Sequence, residues 1–427
     1  MIDRDKNPWT PEDEREHYPS VMEWWAVESF LKTIEDDKRW SLKAVFTEWL
    51  NGKEKNGSLF NLTLFDIIKN KHYTCYLRND KKKLETIKDK FDVRYNDNFI
   101  KGSYPNYEMS FNDEKNNIQI HLNYQAESLP RWIGQEVTDG WLPMGLGFYR
   151  YGFIPKCKIS GEIIINNKNY HVDGKGYFEH VWGDIWYDNP LSNISNLKKT
   201  ISVYSKLINW WTRNHKFRIP KSIKFCTENN PFGYDWAWAL LDNGWVVYYG
   251  NILLWIMKGP AAGSLILSKD GKKYEEFCNI SFKYNKTQLS KNFDFYYPME
   301  IEINAEKEKE KIHLIFKKTS QSREYVSRFT GRKYWKCFVI CEAPGTVEGY
   351  YYDGEKKTKL TGICKIEPQR QVSVIGHNTL QIDFLKPPQG VGVSFDIDSH
   401  YFKKKIFTKI QLAPRPKIKF IFEKTKK

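Results

Sequence analysis

An imidazole, a carboxylate and two aromatic rings fall within five residues in Phe178-Glu179-His180-Val181-Trp182, flanked by Gly174, Gly176 and Gly183. Groups of these types can move a proton and stabilise a cation against a π face. In an extended strand, side chains alternate between faces. Phe178, His180 and Trp182 then share one face, with Tyr177, Glu179 and Val181 on the other. One face would offer an aromatic wall with a titratable ring in it, the start of a pocket. A histidine among aromatics also serves as a satisfied core residue, and both readings stand at this point. Gly174-x-Gly176 is not a phosphate loop, because no helix-forming segment bearing Lys-Ser/Thr follows it.

A second group of the same character is Tyr234-Asp235-Trp236-Ala237-Trp238, with Tyr249 and Asn251 on the next run. Asp235, Glu179 and His180 are the proton-handling candidates, joined by Tyr249 and by the Trp182 ring. Trp24, Trp25, Phe178, Tyr234, Trp236, Trp238 and Asn251 are the candidates for binding an apolar substrate. Strict alternation turns Glu179 away from His180 and Asp235 away from Trp236, unless a β-bulge intervenes. Glu23 and Glu28 are further carboxylates among aromatics, read as structural. No metal site is called for: the seven cysteines are scattered, with no Cys-x-x-Cys pair. No cofactor is called for either.

The elements that must carry these groups are strands. Aromatics make up 16% of the 427 residues, mostly in alternating or short apolar runs, which argues for a β-rich architecture. Runs at 23–30, 40–46, 59–68, 73–77, 107–111 and 118–124 read as strands, and 81–90 as a short helix or solvated loop. Asp242-Asn243-Gly244 and Asp270-Gly271 are hairpin turns. Up-and-down hairpins with aromatic interiors point to barrels enclosing an apolar cavity, with a pair of sandwiches as the alternative. The boundaries read as an arm over 1–20, a first barrel over 21–187, an inserted segment over 188–230, a second barrel over 231–372 and a basic extension over 373–427.

The inserted segment stands apart. From Asn189 to Thr227 it holds no Asp or Glu and eight Lys or Arg, about half of the net charge of +15. Ile194, Leu197, Ile201, Tyr204, Ile208 and Trp211 repeat at three- and four-residue spacings, one apolar stripe of a helix. Lys198, Lys199 and Lys206 take the other face. Such a helix, ending in Trp210-Trp211, suits an anionic membrane surface; it suits equally a helix packed on its own barrel with a solvated basic face. Nucleic acid is the weaker partner, since the charge is one short block with no recognition fold. The charged stretch after Met1 does not read as a signal peptide, and no run spans a bilayer as a helix. A cytoplasmic protein, soluble or peripheral to the membrane, is expected.

Three signatures in order then carry a resemblance. Glu23-Trp24-Trp25, Gly174-x-Gly176-Tyr177-x-Glu179-His180-x-Trp182-Gly183, and Trp236-x-Trp238 with Asp242-x-Gly244 resemble those of the AttH-like family, which includes carotenoid 1,2-hydratase. The match covers roughly Glu23 to Glu367. It implies an all-β fold of two tandem lipocalin-like antiparallel barrels, here with the basic helix inserted, and the middle motif near their junction. It also implies a greasy small molecule as ligand, with hydration, cyclisation or isomerisation as the reaction, or binding and transfer of lipid without chemistry. His180 and Trp182 match the positions implicated in catalysis in the hydratases. The family's Tyr-x-Asp corresponds here to Tyr249-Gly250-Asn251, and Asn cannot donate a proton as an acid does.

Overall fold

The computed structural model describes residues 9–51, 54–80, 83–144, 147–184, 197–214, 222–226, 233–253, 262–277, 279–291, 296–320, 322–328, 337–372, 376–384, 391–399, 405–412 and 417–423. The side chains of Leu197, Trp211 and Asn251 lie outside the described residues, as does the whole of Ile194. The chain divides into two compact units, 1–210 with 269–273, and 211–268 with 274–427.

The first unit is one antiparallel sheet. Its path runs from Lys71–Asp80 through Glu54–Asp66, Arg39–Asn51, Met22–Thr33, Lys168–Asp184, Gly147–Ile165, Ile118–Ala126, Asn106–Asp113, Asn98–Ser103 and Phe91–Tyr95 to Leu84–Thr86. Neighbours along this path are mostly consecutive in sequence and joined by short turns, as alternating runs broken by Asn, Asp and Gly require. The sheet curls until Phe91–Tyr95 and Leu84–Thr86 return against Arg39–Asn51. Within 83–90 the strand Leu84–Thr86 takes part of the stretch expected as a short helix or loop, with Leu84 buried and paired with Tyr95, and a turn follows it.

One non-local pairing organises the rest. The opening strand, Met22–Thr33, lies antiparallel to the motif strand, Lys168–Asp184, with Trp25 opposite His180 and Glu23 opposite Trp182. Trp25 and Phe178 point into the curled sheet, where they join Phe46, Phe60, Tyr95 and Phe111 in one apolar core. Ring pairs such as Phe46–Phe60 at 4.7 Å and Phe60–Tyr95 at 5.9 Å fill that interior. The motif glycines permit the close approach of neighbouring strands. A Cβ on Gly174 would stand 2.2 Å from the carbonyl oxygen of Phe30, and one on Gly176 would stand 2.6 Å from Tyr124 and Ile159.

The second unit holds a ten-stranded antiparallel sheet whose path includes Val246–Leu253, Gly233–Leu241, Lys357–Val372 and Cys337–Tyr352 as successive neighbours. Its core is lined by Ala237, Ala239, Tyr249, Ile301, Phe316 and Ile366. The basic C-terminal extension forms a sheet with Ser222–Cys226 as its outer strand. That sheet continues through Gly376–Phe384, Val391–Ser399 and Lys405–Leu412 to Lys417–Glu423. The inserted helix spans Leu197–Asn214. The architecture is all-β, two curled antiparallel sheets with that helix between them in sequence.

Because the obstacle at Gly174 is backbone rather than a mobile side chain, Gly174→Ala should cost about 1–3 kcal/mol by forcing the paired strands apart. The reading is a lowered urea midpoint with an unchanged slope; a wild-type midpoint would refute the close-approach account.

Candidate active site

The arm preceding the opening strand completes a site on the inner face of the first unit. Pro11–Glu14 forms a single 3-10 turn started by Thr10, whose N–H and hydroxyl both donate to Asp13 Oδ2, at 2.8 and 2.9 Å. That turn presents three groups inward. The carbonyl oxygen of Asp13 lies 2.7 Å from His180 Nδ1, the carbonyl of Glu14 accepts from Trp25 Nε1 at 3.0 Å, and the Glu14 carboxylate takes hydrogen bonds from Trp9, Tyr104 N–H and Tyr107. Burial pushes the Glu14 carboxyl above its usual value, against those donors.

Three residues farther on, His17 meets Glu23. The His17 backbone N–H donates to both Glu23 carboxylate oxygens, at 3.0 and 2.9 Å, and His17 Nδ1 lies 3.1 Å from Oε1. His180 Nε2 approaches the same Oε1 at 2.8 Å. Glu23 and His180 are fully out of solvent, whereas the His17 side chain keeps 24% of its surface exposed. The rings are stacked around the group: Trp25 on His180 at 4.7 Å, and Trp182 on His17 at 3.6 Å and 7°. Trp132 meets Trp182 edge-on at 5.5 Å, and Arg150 lies 3.8 Å over Trp132 while bonding Asp13 Oδ1 at 3.1 Å.

The protonation state follows from the partners. A carbonyl oxygen only accepts, so His180 Nδ1 must carry a hydrogen for Asp13. Nε2 would then aim a lone pair at a carboxylate oxygen 2.8 Å away, unless a proton lies between them. The pair therefore holds one proton in common. Burial raises the Glu23 carboxyl, but the His17 and His180 hydrogen bonds outweigh it and leave the group below its usual value. Burial also lowers the His180 imidazole, against the pull of Glu23. We place the proton on His180, in a hydrogen bond to an ionised Glu23, because the His17 backbone N–H already donates to both oxygens of that carboxylate.

His17, Glu23 and His180 also form a set of converging donor atoms that could hold a metal ion. The spacing fits shared protons better. Two ligands about 2.1 Å from a zinc ion at a tetrahedral angle stand about 3.4 Å apart, whereas His180 and Glu23 are 2.8 Å apart and the carboxylate already takes two backbone bonds.

The other sequence candidates fall elsewhere. His180, Trp182, Trp25 and Phe178 share the inner face, as alternation requires; Phe178 stacks on Tyr107 at 4.9 Å. Glu179 and Trp24 lie on the opposite face. There Trp24 Nε1 donates to Glu179 at 2.9 Å, Tyr177 donates at 2.8 Å, and Tyr151 donates as well. No bulge returns Glu179 to His180; the opening strand and the motif strand pair without a register shift. In the second unit Asp235 is fully buried, bonded by Arg370 at 2.9 Å and by Tyr284. Both of its carboxylate oxygens therefore take hydrogen bonds from within the second unit. Tyr249 points to the same interior, beside Phe282 and Phe316, while Trp236 and Trp238 occupy the other face. Tyr234 donates to Glu367 at 2.7 Å.

His17 and the Asp13 and Glu14 carbonyls give no signal in sequence, because a turn rather than a period brings them to Glu23. Glu23 itself carries a signal: it is two residues from Trp25 and so shares its face.

Two solved structures match most of the chain. A candidate AttH protein from Nitrosomonas europaea superposes with a TM-score of 0.58 at 17% identity, covering 85% of this chain and 97% of its own. Kievitone hydratase from Nectria haematococca superposes with a TM-score of 0.57 at 12% identity, covering 87% and 95%. The chain has the AttH-like fold. No family model matches the sequence, and no curated protein matches it either. The tandem lipocalin-like architecture implied by the three signatures is the one the chain adopts.

The arm is also anchored beside His17. Glu16 bonds Thr86 at 2.6 Å and Lys55 at 2.7 Å, and Lys55 reaches Glu48 at 3.0 Å. Burial and the Glu16 hydrogen bond push the Glu48 carboxyl from its usual 4.5 up to about 8. The folded chain thus keeps a proton that the unfolded chain releases, so stability should fall as pH rises from about 4.5 to about 8 and level off above. The Glu16 carboxyl is lowered and titrates below that window. Glu48→Gln should flatten the slope in chemical denaturation measured across this range; an unchanged slope would count against the assignment.

Proposed function

We propose that this protein catalyses an acid-assisted hydration or cyclisation of a hydrophobic small molecule, with the Glu23–His180 pair as the proton store. The observation that carries the reading is the 2.8 Å contact between His180 Nε2 and Glu23 Oε1, two groups excluded from solvent, with an aromatic wall beside them. Burial disfavours the charged imidazolium, so a proton on His180 is held less tightly than on a solvated imidazole.

His17 is the outlet. It touches Glu23 through Nδ1, stacks on Trp182, and its Nε2 has no hydrogen-bond partner among the described residues. A proton taken up at Nδ1 releases the one at Nε2 to an alkene carbon. The cation that forms on the adjacent carbon is stabilised by the Trp182 and Trp132 faces. In hydration, water adds to that carbon and its surplus proton returns to the pair. In cyclisation, a second double bond of the substrate adds instead, and a neighbouring C–H returns the proton. The pair ends as it began. The fold shared with kievitone hydratase is compatible with such chemistry.

The competing reading, a carrier that binds and moves a lipid or isoprenoid without reaction, needs the same apolar wall but not the proton. Mass spectrometry of organic extracts from the purified protein, followed by turnover of the recovered ligand or of added isoprenoids in heavy water, separates the two. On the enzyme reading, deuterium enters a carbon position, and His180→Gln and His17→Gln each lower turnover by about 10²–10⁴-fold while ligand is retained. Retained ligand with no deuterium entry in the wild type favours the carrier. Absence of any bound apolar molecule, together with no uptake of added ones, would sink both.

A further inference from the structure

The inserted helix is rolled away from the orientation that its apolar stripe invites. Thr200 and Val203 are the residues it buries, and Tyr204, Leu207 and Trp210 are half-buried. Lys199, whose charge the pattern assigns to the solvated side, lays its ammonium 3.4 Å over Trp141 and 4.2 Å from the Phe148 ring centre. Burial accordingly lowers its amine. That cation–π seat fixes the roll of the helix on the rim of the first unit. As a result Ile201 and Ile208 stand in solvent, 55% and 57% exposed. They are seven residues apart, two turns along one line of the helix. Lys198, Lys199, Ser202, Ser205, Lys206, Asn209 and Arg213 are the other exposed residues among the described side chains of the helix.

We propose that this face docks on an anionic lipid bilayer, with Ile201 and Ile208 entering the acyl boundary and Lys198, Lys206 and Arg213 lying among the headgroups. Charge complementarity selects the occupant. The segment from Asn189 to Thr227 carries eight basic residues and no acidic one, so its field attracts an anionic surface along its whole length. An apolar ridge bordered by long, flexible lysines also suits a fluid interface, because those side chains reach the headgroups from whatever depth the ridge takes. A protein partner would need a matching groove, and nucleic acid would gain nothing from two isoleucines. No helix among the described residues is long and apolar enough to cross a membrane, so the contact is peripheral. The inference uses none of the residues of the proposed proton store.

Flotation of the full chain with phosphatidylcholine vesicles, with and without phosphatidylserine, tests it. Binding should be at least about tenfold tighter with the anionic lipid and should weaken as salt is added. The pair Ile201→Ser and Ile208→Ser should lower binding to the anionic vesicles by about tenfold or more. Both positions are exposed, so the thermal melt should be that of the wild type, which separates lost docking from lost fold. Equal recovery with neutral and anionic vesicles would overturn the proposal, as would full binding by the double variant. So would a lipid-independent dimer that the double variant abolishes, since the ridge would then be a protein interface.

Discussion

Glu23 and His180 come from segments more than 150 residues apart, and both are out of solvent. Two such groups can share an interior only as partners, because an ionised carboxylate without its donor would be left stranded there at a cost of about 3–5 kcal/mol. The rest of the first unit can be understood as what this requirement demands. The register between the opening strand and the motif strand must hold Trp25 over His180, and the glycines must let those strands close. The arm must supply a carbonyl to one edge of the imidazole and a second imidazole to the carboxylate. Remove any one of these and the proton has no fixed address.

The second unit repeats the architecture with a different electrostatic solution. Its buried carboxylate, Asp235, is matched by the guanidinium of Arg370, which is permanently charged. The two sheets thus differ in the partner of a buried carboxylate, histidine in the first and arginine in the second.

How much of this could be read from the sequence depends on the length scale of each feature. Alternation along Tyr177-Phe178-Glu179-His180-Val181-Trp182 is local, so the division of these side chains between faces was legible, and with it the separation of Glu179 from His180. The all-β class and the three signatures were legible for the same reason. The Arg370 partner of Asp235 and the His17 partner of Glu23 were not, since each depends on a pairing or a turn with no period in the chain. The helix was half legible: its spacing declared an apolar arc, but Ile201 and Ile208 on that arc stand in solvent. Lys199 on Trp141, a tertiary contact, decides which part stays wet. At 84–86 a short strand interrupts the expected helix or loop, because pairing of Leu84 with Tyr95 outweighs the lysines around it.

The order in which the site is assembled has its own consequence. His17 and Glu23 leave the ribosome early, and His180 only after most of the first sheet has been made. Until the motif strand pairs with the opening strand, the arm has neither the His180 imidazole nor the Trp182 indole to rest on, and Glu23 lacks its imidazole partner. Long-range strand pairing of this kind is slow to form. The carboxylate–imidazole pair is therefore completed last, after most of the sheet that buries it has been made.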